Sequence, residues 1–161
     1  MSVKPIPEGY HTVTPYLIVQ GAANAIEFYK KAFGATEIMR MPCGQTGRLM
    51  HAEVQIGDSR IMLADEMPEM KVVGPRTLGG TTIGICLYVP DVDATFGQAI
   101  AAGATQLYPI KNQFYGDRSG SLIDPFGHKW TIATHIEDVT PQEMVQRSEK
   151  AMKEFAAAAA T

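Results

Sequence analysis

Two halves of this 161-residue chain repeat one another at an almost constant offset. YLIV at 16–19 returns as CLYV at 86–89, a shift of 70, and GAT at 34–36 returns at 103–105, a shift of 69. Arg48 and Gly57 are matched by Arg118 and Gly127, again 70 apart. Three-residue matches arise by chance, but ordered matches along half a chain do not. A duplicated unit constrains the fold strongly: each half forms the same elements, and the two copies must bury apolar surface against each other.

The elements of one copy can be read from periodicity. TPYLIV is β-branched and aromatic, as strands are. AANAIEFYKKAFG puts Ala22, Ile26, Tyr29 and Phe33 at helical spacing and ends on Gly34, a residue suited to a helix stop. ATEIMRM, RLMHAEVQI and SRIMLAD read as three short strands, the last two joined at Gly57-Asp58. The second copy follows suit: a strand at 82–89, then a helix near 92–102 with Val92, Phe96 and Ile100 on one face. Strands near 104–110, 119–124 and 128–135 complete it. The expectation is α+β: a first βαβββ module at 12–66, a linker or flap at 67–80 rich in Pro, Gly and Met, and a second module at 81–136. A C-terminal helix is expected at 140–158, opened by a capping box at Thr140, Pro141 and Glu143. Its narrow apolar stripe (Met144, Ser148, Ala151 or Met152, Phe155) suits packing on its own sheet or docking on a partner subunit.

Composition narrows the function classes. A net charge of −3 supplies no basic field for nucleic acid, and no Lys/Arg cluster suggests a membrane surface. No apolar run approaches the roughly 20 residues of a membrane span, and the first residues lack a signal-peptide core. Cys43 and Cys86 show no paired spacing, consistent with reduced thiols in a cytoplasm. A cytoplasmic protein is expected.

AIEFYKKAFGATE early and DPFGHKW late, on a doubled βαβββ chain, resemble the vicinal oxygen chelate superfamily, which includes glyoxalase I, extradiol dioxygenases and bleomycin-resistance proteins. HAEVQIGDSRIMLADE and YGDRSGSLIDPFGHKW resemble its PhnB-like branch. The resemblance implies two tandem modules forming a cup-shaped sheet, a ligand held inside the cup, and a homodimer. It also implies a test for metal. Enzymes of the superfamily hold a divalent ion with His, Glu or Gln on the first and last strands of each module. Those positions carry over to Thr14, Ile61, Gly84 and Thr131. Ile61 and Gly84 have no donor atom, and a neutral Thr hydroxyl is a poor ligand. No metal and no other cofactor are therefore expected.

Strand alternation estimates what lines the cup. With Thr14, Ile61, Gly84 and Thr131 on the concave face, Tyr16, Leu63, Cys86, Tyr88 and Ala133 share it, an apolar and aromatic lining suited to a small molecule. In MHAEVQI, Met50, Ala52, Val54 and Ile56 should face the helices, and His51, Glu53 and Gln55 the other side. His51 and Glu53 suit a polar ligand contact, an acid–base pair or an off-pattern metal; equally they suit a solvated strand face. Tyr115 and Arg118, in the loop NQFYGDRSGS with Phe114, could lean over a planar ligand, or form a plain turn with a surface ion pair. His128 reads as an exposed turn residue and Cys86 as a small core residue; His11 and His135 carry little signal. Three functions stay open: capture of a planar or aromatic small molecule in a metal-free cup; metal-dependent lyase, isomerase or dioxygenase chemistry at His51 and Glu53; or a purely structural role.

Overall fold

Each half folds as the repeat requires. The computed structural model describes residues 3–159. The first half contains β1 (Tyr16–Val19), α1 (Ala22–Phe33), β2 (Thr36–Pro42), β3 (Leu49–Ile56) and β4 (Ser59–Asp65). A short helix, α2 (Pro75–Leu78), lies in the connecting segment. The second half contains β5 (Gly84–Tyr88), α3 (Val92–Ala101), β6 (Thr105–Asn112), β7 (Asp117–Ile123) and β8 (Lys129–His135), and is followed by α4 (Pro141–Ala159). Two four-stranded mixed sheets result, ordered β1-β4-β3-β2 and β5-β8-β7-β6, with β1–β4 and β5–β8 the parallel pairs.

α1 forms where the apolar spacing places it and buries Ala22, Ala25, Ile26, Phe28, Tyr29, Ala32 and Phe33. Its start is capped from a distance: Asp65 Oδ1 accepts the Gly21 and Ala22 amides at 2.7 and 2.9 Å, while Oδ2 accepts the Leu49 amide at 2.6 Å. One carboxylate thereby ties the end of β4 to α1 and β3. In α3, Asp91 caps the Ala94 amide, and Val92, Phe96 and Ala99 are buried. Ile100, expected on that face, is 37% exposed. Seven residues make nearly two full helical turns, so Ala99 rather than Ile100 lies beneath Val92.

The halves share a single core, and DPFGHKW supplies its seam. Trp130 is fully buried against Phe33 and Tyr29 of α1, with ring centroids 4.7 and 5.5 Å apart. Buried Asp124 accepts hydrogen bonds from the Tyr29 hydroxyl (2.8 Å) and Trp130 Nε1 (3.0 Å) through one oxygen. Its other oxygen accepts the Phe126 and His128 amides, both at 2.9 Å. Phe126 packs edge-on to Phe28, so the turn is a plug driven into the first half.

Several faces differ from the sequence expectation. Ile61 and Leu63, expected in the cup, lie in the core at 5% and 0% exposure. The turn between Ile56 and Ser59 holds two residues, whereas that between Ile123 and Lys129 holds five, so the offset changes along each hairpin. Tyr16 pairs with Met62 as Cys86 pairs with Thr131, a shift of 70 on the first strand and 69 on the last. A one-residue slip turns every side chain to the opposite face, so Met62 stands where Ile61 was expected. Met50, expected against the helices, is exposed. It is the extra residue of a bulge opposite Met41-Pro42, and Leu49 enters the core instead. Cys86, expected in the core, is exposed on the open face of β5.

The capping box forms as written: the Thr140 amide donates to Glu143 Oε2 and the Glu143 amide to Thr140 Oγ1. Arg147 pairs with Glu137 at the helix base; of the stripe, Met144, Ser148 and Ala151 are half-buried and Met152 is exposed. The side chain of Phe155 lies outside the described residues.

Tyr29→Phe removes one donor from buried Asp124 while keeping the ring. The expected loss of stability is about 1–3 kcal/mol, read as a lower urea midpoint at unchanged denaturant slope.

Candidate functional site

With this register, each sheet has one face under its helices and one face free of them. The first free face carries Tyr16 and Ile18 of β1, His51, Glu53 and Gln55 of β3, and Arg60 and Met62 of β4. A hydrogen-bond chain crosses it. Tyr16 Oη lies 3.0 Å from His51 Nδ1, His51 Nε2 lies 3.1 Å from Glu53 Oε1, and Arg60 donates to Glu53 Oε2 at 3.0 Å. Glu53 is 7% exposed. Burial pushes its pKa up, but hydrogen bonds from Tyr10, His51 and Arg60 outweigh that and hold the carboxyl below its usual range. The Tyr10 ring in turn sits 5.1 Å from the Arg60 guanidinium carbon.

The segment after β4 folds back over this face. Glu66 accepts from the Gly74 amide (2.6 Å), Thr77 Oγ1 (2.9 Å) and Gln20 Nε2 (3.1 Å), so one largely buried carboxylate clamps the start of α2 to the end of β1. Gly74 is needed there: a Cβ would stand 2.4 Å from the Ile18 carbonyl oxygen. Against this flap lies an open cavity of about 580 Å³. Tyr16 and Ile18 line one side, the stretch from Val73 to Ile83 most of the rest, and His128 of the second half closes an end. His128, expected to be an exposed turn residue, is half-buried with Nε2 3.3 Å from the Ile18 carbonyl oxygen.

The second free face carries Gly84, Cys86 and Tyr88 of β5, Thr131 and Ala133 of β8, and Ser119 and Ser121 of β7. Asp117, 5% exposed, accepts from the Tyr88 hydroxyl (2.7 Å) and pairs with His135 Nδ1 (2.8 Å). The Asp117 carboxylate, aided by burial, pushes the Tyr88 phenol up to about 12. Partial desolvation by the groups around it on the open face raises the Cys86 thiol, and the same carboxylate adds to this, which disfavours a reactive thiolate. Tyr115 and Thr131 line a smaller hollow of about 270 Å³ with Tyr108, Lys111, Gln113 and Ser121. Arg118 is turned to the helix side, where it pairs with Asp93 of α3 through two contacts of 2.7 Å. Alternation along β7 puts it opposite Asp117 and Ser119, so it does not lean over the free face.

Of the twelve expected site residues, six are spread over three hollows, and Thr14, His51, Glu53, Leu63, Gly84 and Arg118 line none of the three. Tyr16 lines the cavity under the flap; Cys86, Tyr88 and the edge of Ile61 border a crevice of about 410 Å³ between the Gly57-Asp58 turn and β5; Tyr115 and Thr131 line the third. Thr14 precedes β1 and bonds the His11 carbonyl. Ile18, Met62, Arg60 and Glu66 were missed, and the flap expected at 67–80 was given no part in the site. Met62 and Arg60 were hidden by the register slip, and Glu66 lay in a segment with no periodicity to read.

The residues do not fit a divalent ion. With Met62 in place of Ile61, the four superfamily positions hold Thr14, Met62, Gly84 and Thr131, whose only nitrogen or oxygen donors are two neutral hydroxyls. No group of three or more His, Cys, Asp or Glu is placed to hold a metal among the described residues. Both His51 nitrogens are engaged, by Tyr16 and by Glu53.

Residues 10–132 match the model of the Glyoxalase/Bleomycin resistance protein/Dioxygenase superfamily, and the chain belongs to that family. It is 44% identical over 135 residues to an uncharacterized protein of Mycobacterium bovis, covering 82% of this chain and 88% of that one. Among solved structures it is similar to TioX from Micromonospora sp. ML1 (24% identity, TM-score 0.62, covering 78% of this chain and 99% of that one). It is similar, too, to a PhnB protein from Bacillus cereus (17% identity, TM-score 0.62, covering 77% and 99%). These structural likenesses establish the fold.

Glu66→Ala should free the flap. The expected result is faster hydrogen exchange at the Gly74 amide and cleavage by protease within 67–80, with the core amides unchanged. For wild type the pH dependence has a definite sign. Burial raises the Glu66 pKa, but its bonds to Gly74, Thr77 and Gln20 hold it net below the ordinary value. The clamp is thus complete above the ordinary glutamate range and is lost as pH falls through the depressed value.

Proposed function

We propose that this protein binds a small, flat, largely apolar molecule without a metal, in the cavity between the first free face and the flap. The observation that carries the reading is that cavity: about 580 Å³, within the usual range for small-molecule sites. Its walls are mainly apolar (Ile18, Pro75, Leu78, Ile83), and Tyr16, Thr81, Thr82 and His128 are its polar side chains. Capture in a cup is what the bleomycin-resistance part of the family name suggests, and the likeness to a PhnB protein favours that branch. A metal-dependent reaction at His51 and Glu53 is the poorer reading, since no third ligand stands beside them among the described residues.

A homodimer belongs to the same proposal. Ile83, Tyr88 and Tyr108 are exposed on or beside β5 and β6, apolar and aromatic surface that a second copy would cover. A second copy placed there would cover the second free face and complete the cup.

Three measurements test this reading. Sedimentation velocity should give twice the 17.5 kDa chain mass. Protein purified and soaked with zinc, nickel or manganese should retain far less than one equivalent per chain. With 2-naphthol as the probe, the melting temperature should rise in wild type but not in Ile18→Trp, which fills the cavity; a tight metal equivalent, or naphthol stabilisation indifferent to Ile18→Trp, would overturn the reading.

A further inference from the structure

For a neutral His51, the hydrogen-bond chain on the first free face has one direction available. Glu53 is an anion that accepts through both oxygens, from Arg60 on one side and His51 on the other. A neutral His51 beside it carries its one proton on Nε2, facing the carboxylate, and that leaves Nδ1 bare. Nδ1 can only accept, so the Tyr16 hydroxyl, 3.0 Å away, must donate to it. Tyr16 has spent its single proton. What its oxygen still offers a ligand is a lone pair.

We infer that Tyr16 sets specificity as an obligate hydrogen-bond acceptor, so that the cavity selects neutral flat ligands presenting an O–H or N–H donor, such as phenols or enols, over their O-alkylated counterparts. Glu53 and His51 act as positioning residues: neither touches the ligand, and their protonation pattern fixes what Tyr16 can accept. An ether oxygen placed at the same point faces the Tyr16 lone pair with no proton between them, leaving both acceptors unpaired. The inference rests on the proposed cavity and adds the chemical class it takes.

The arrangement predicts an inversion. Arg60 donates to Glu53 Oε2, so in Glu53→Gln the amide oxygen stays with Arg60 and the NH₂ turns to His51. The amide then donates to Nε2, the ring proton moves to Nδ1, and Nδ1–H donates to Tyr16. The Tyr16 proton is released toward the cavity, and the site becomes a donor.

The test compares 2-naphthol with 2-methoxynaphthalene by calorimetry at neutral pH on folded wild type, Tyr16→Phe and Glu53→Gln. Expected is a preference for the naphthol of about tenfold or more in wild type, its collapse toward unity in Tyr16→Phe, and its reversal in Glu53→Gln. Equal wild-type affinities, or a preference that survives Tyr16→Phe, overturn the inference while leaving the cavity reading intact. Binding of neither compound overturns both. Should Glu53→Gln fail to fold, the Tyr16→Phe ratio alone decides.

Discussion

The two halves are held in register by the buried contact among Tyr29, Asp124 and Trp130. Asp124 sits at the base of a five-residue turn in the second half, yet one of its oxygens takes a hydrogen bond from the first half's helix and another from its own Trp130. A carboxyl buried this deeply is tolerated only when its lone pairs are filled, and here four donors fill them. The geometry of those donors sets where α1 lies on the second half. It also sets where His128, at the far end of the same turn, meets β1. The cavity under the flap inherits its end wall from that contact.

Electrostatics on the first free face depends on the same economy of donors. Glu53 is nearly as buried as Asp124, and Arg60, His51 and Tyr10 together satisfy its oxygens. A strand pair brings these groups together because Glu53 lies opposite Met62 and Gln55 opposite Arg60, so side chains of alternate residues meet on one surface. The second free face solves a similar problem differently, with Tyr88 and His135 both turned to Asp117. Duplication preserved the backbone plan while the polar groups on the two faces diverged.

Much of this architecture was legible in the residues. The offset of 70 announced two copies, the spacing of Ile26, Tyr29 and Phe33 announced α1, and Thr140 with Glu143 announced the start of α4. His51 and Glu53 were placed on one strand face by alternation alone, and there they are. The reading failed where it carried a constant offset through turns of unequal length. Ile61 and Leu63 went to the wrong face for that reason, and Arg118 was assigned to a loop when it lies on β7 facing α3. Parity errors of this kind are invisible without the pairing partner.

The sequence by itself determined the elements and their duplication, because periodicity is a local property of the chain. Only the tertiary structure decided which face of β4 is open, that Glu66 clamps the flap over Tyr16, and that Tyr16, His51, Glu53 and Arg60 form one hydrogen-bonded chain. Those contacts join residues far apart in sequence. Their partners are selected by strand register and by the packing of one half on the other, neither of which is written in any single stretch of residues.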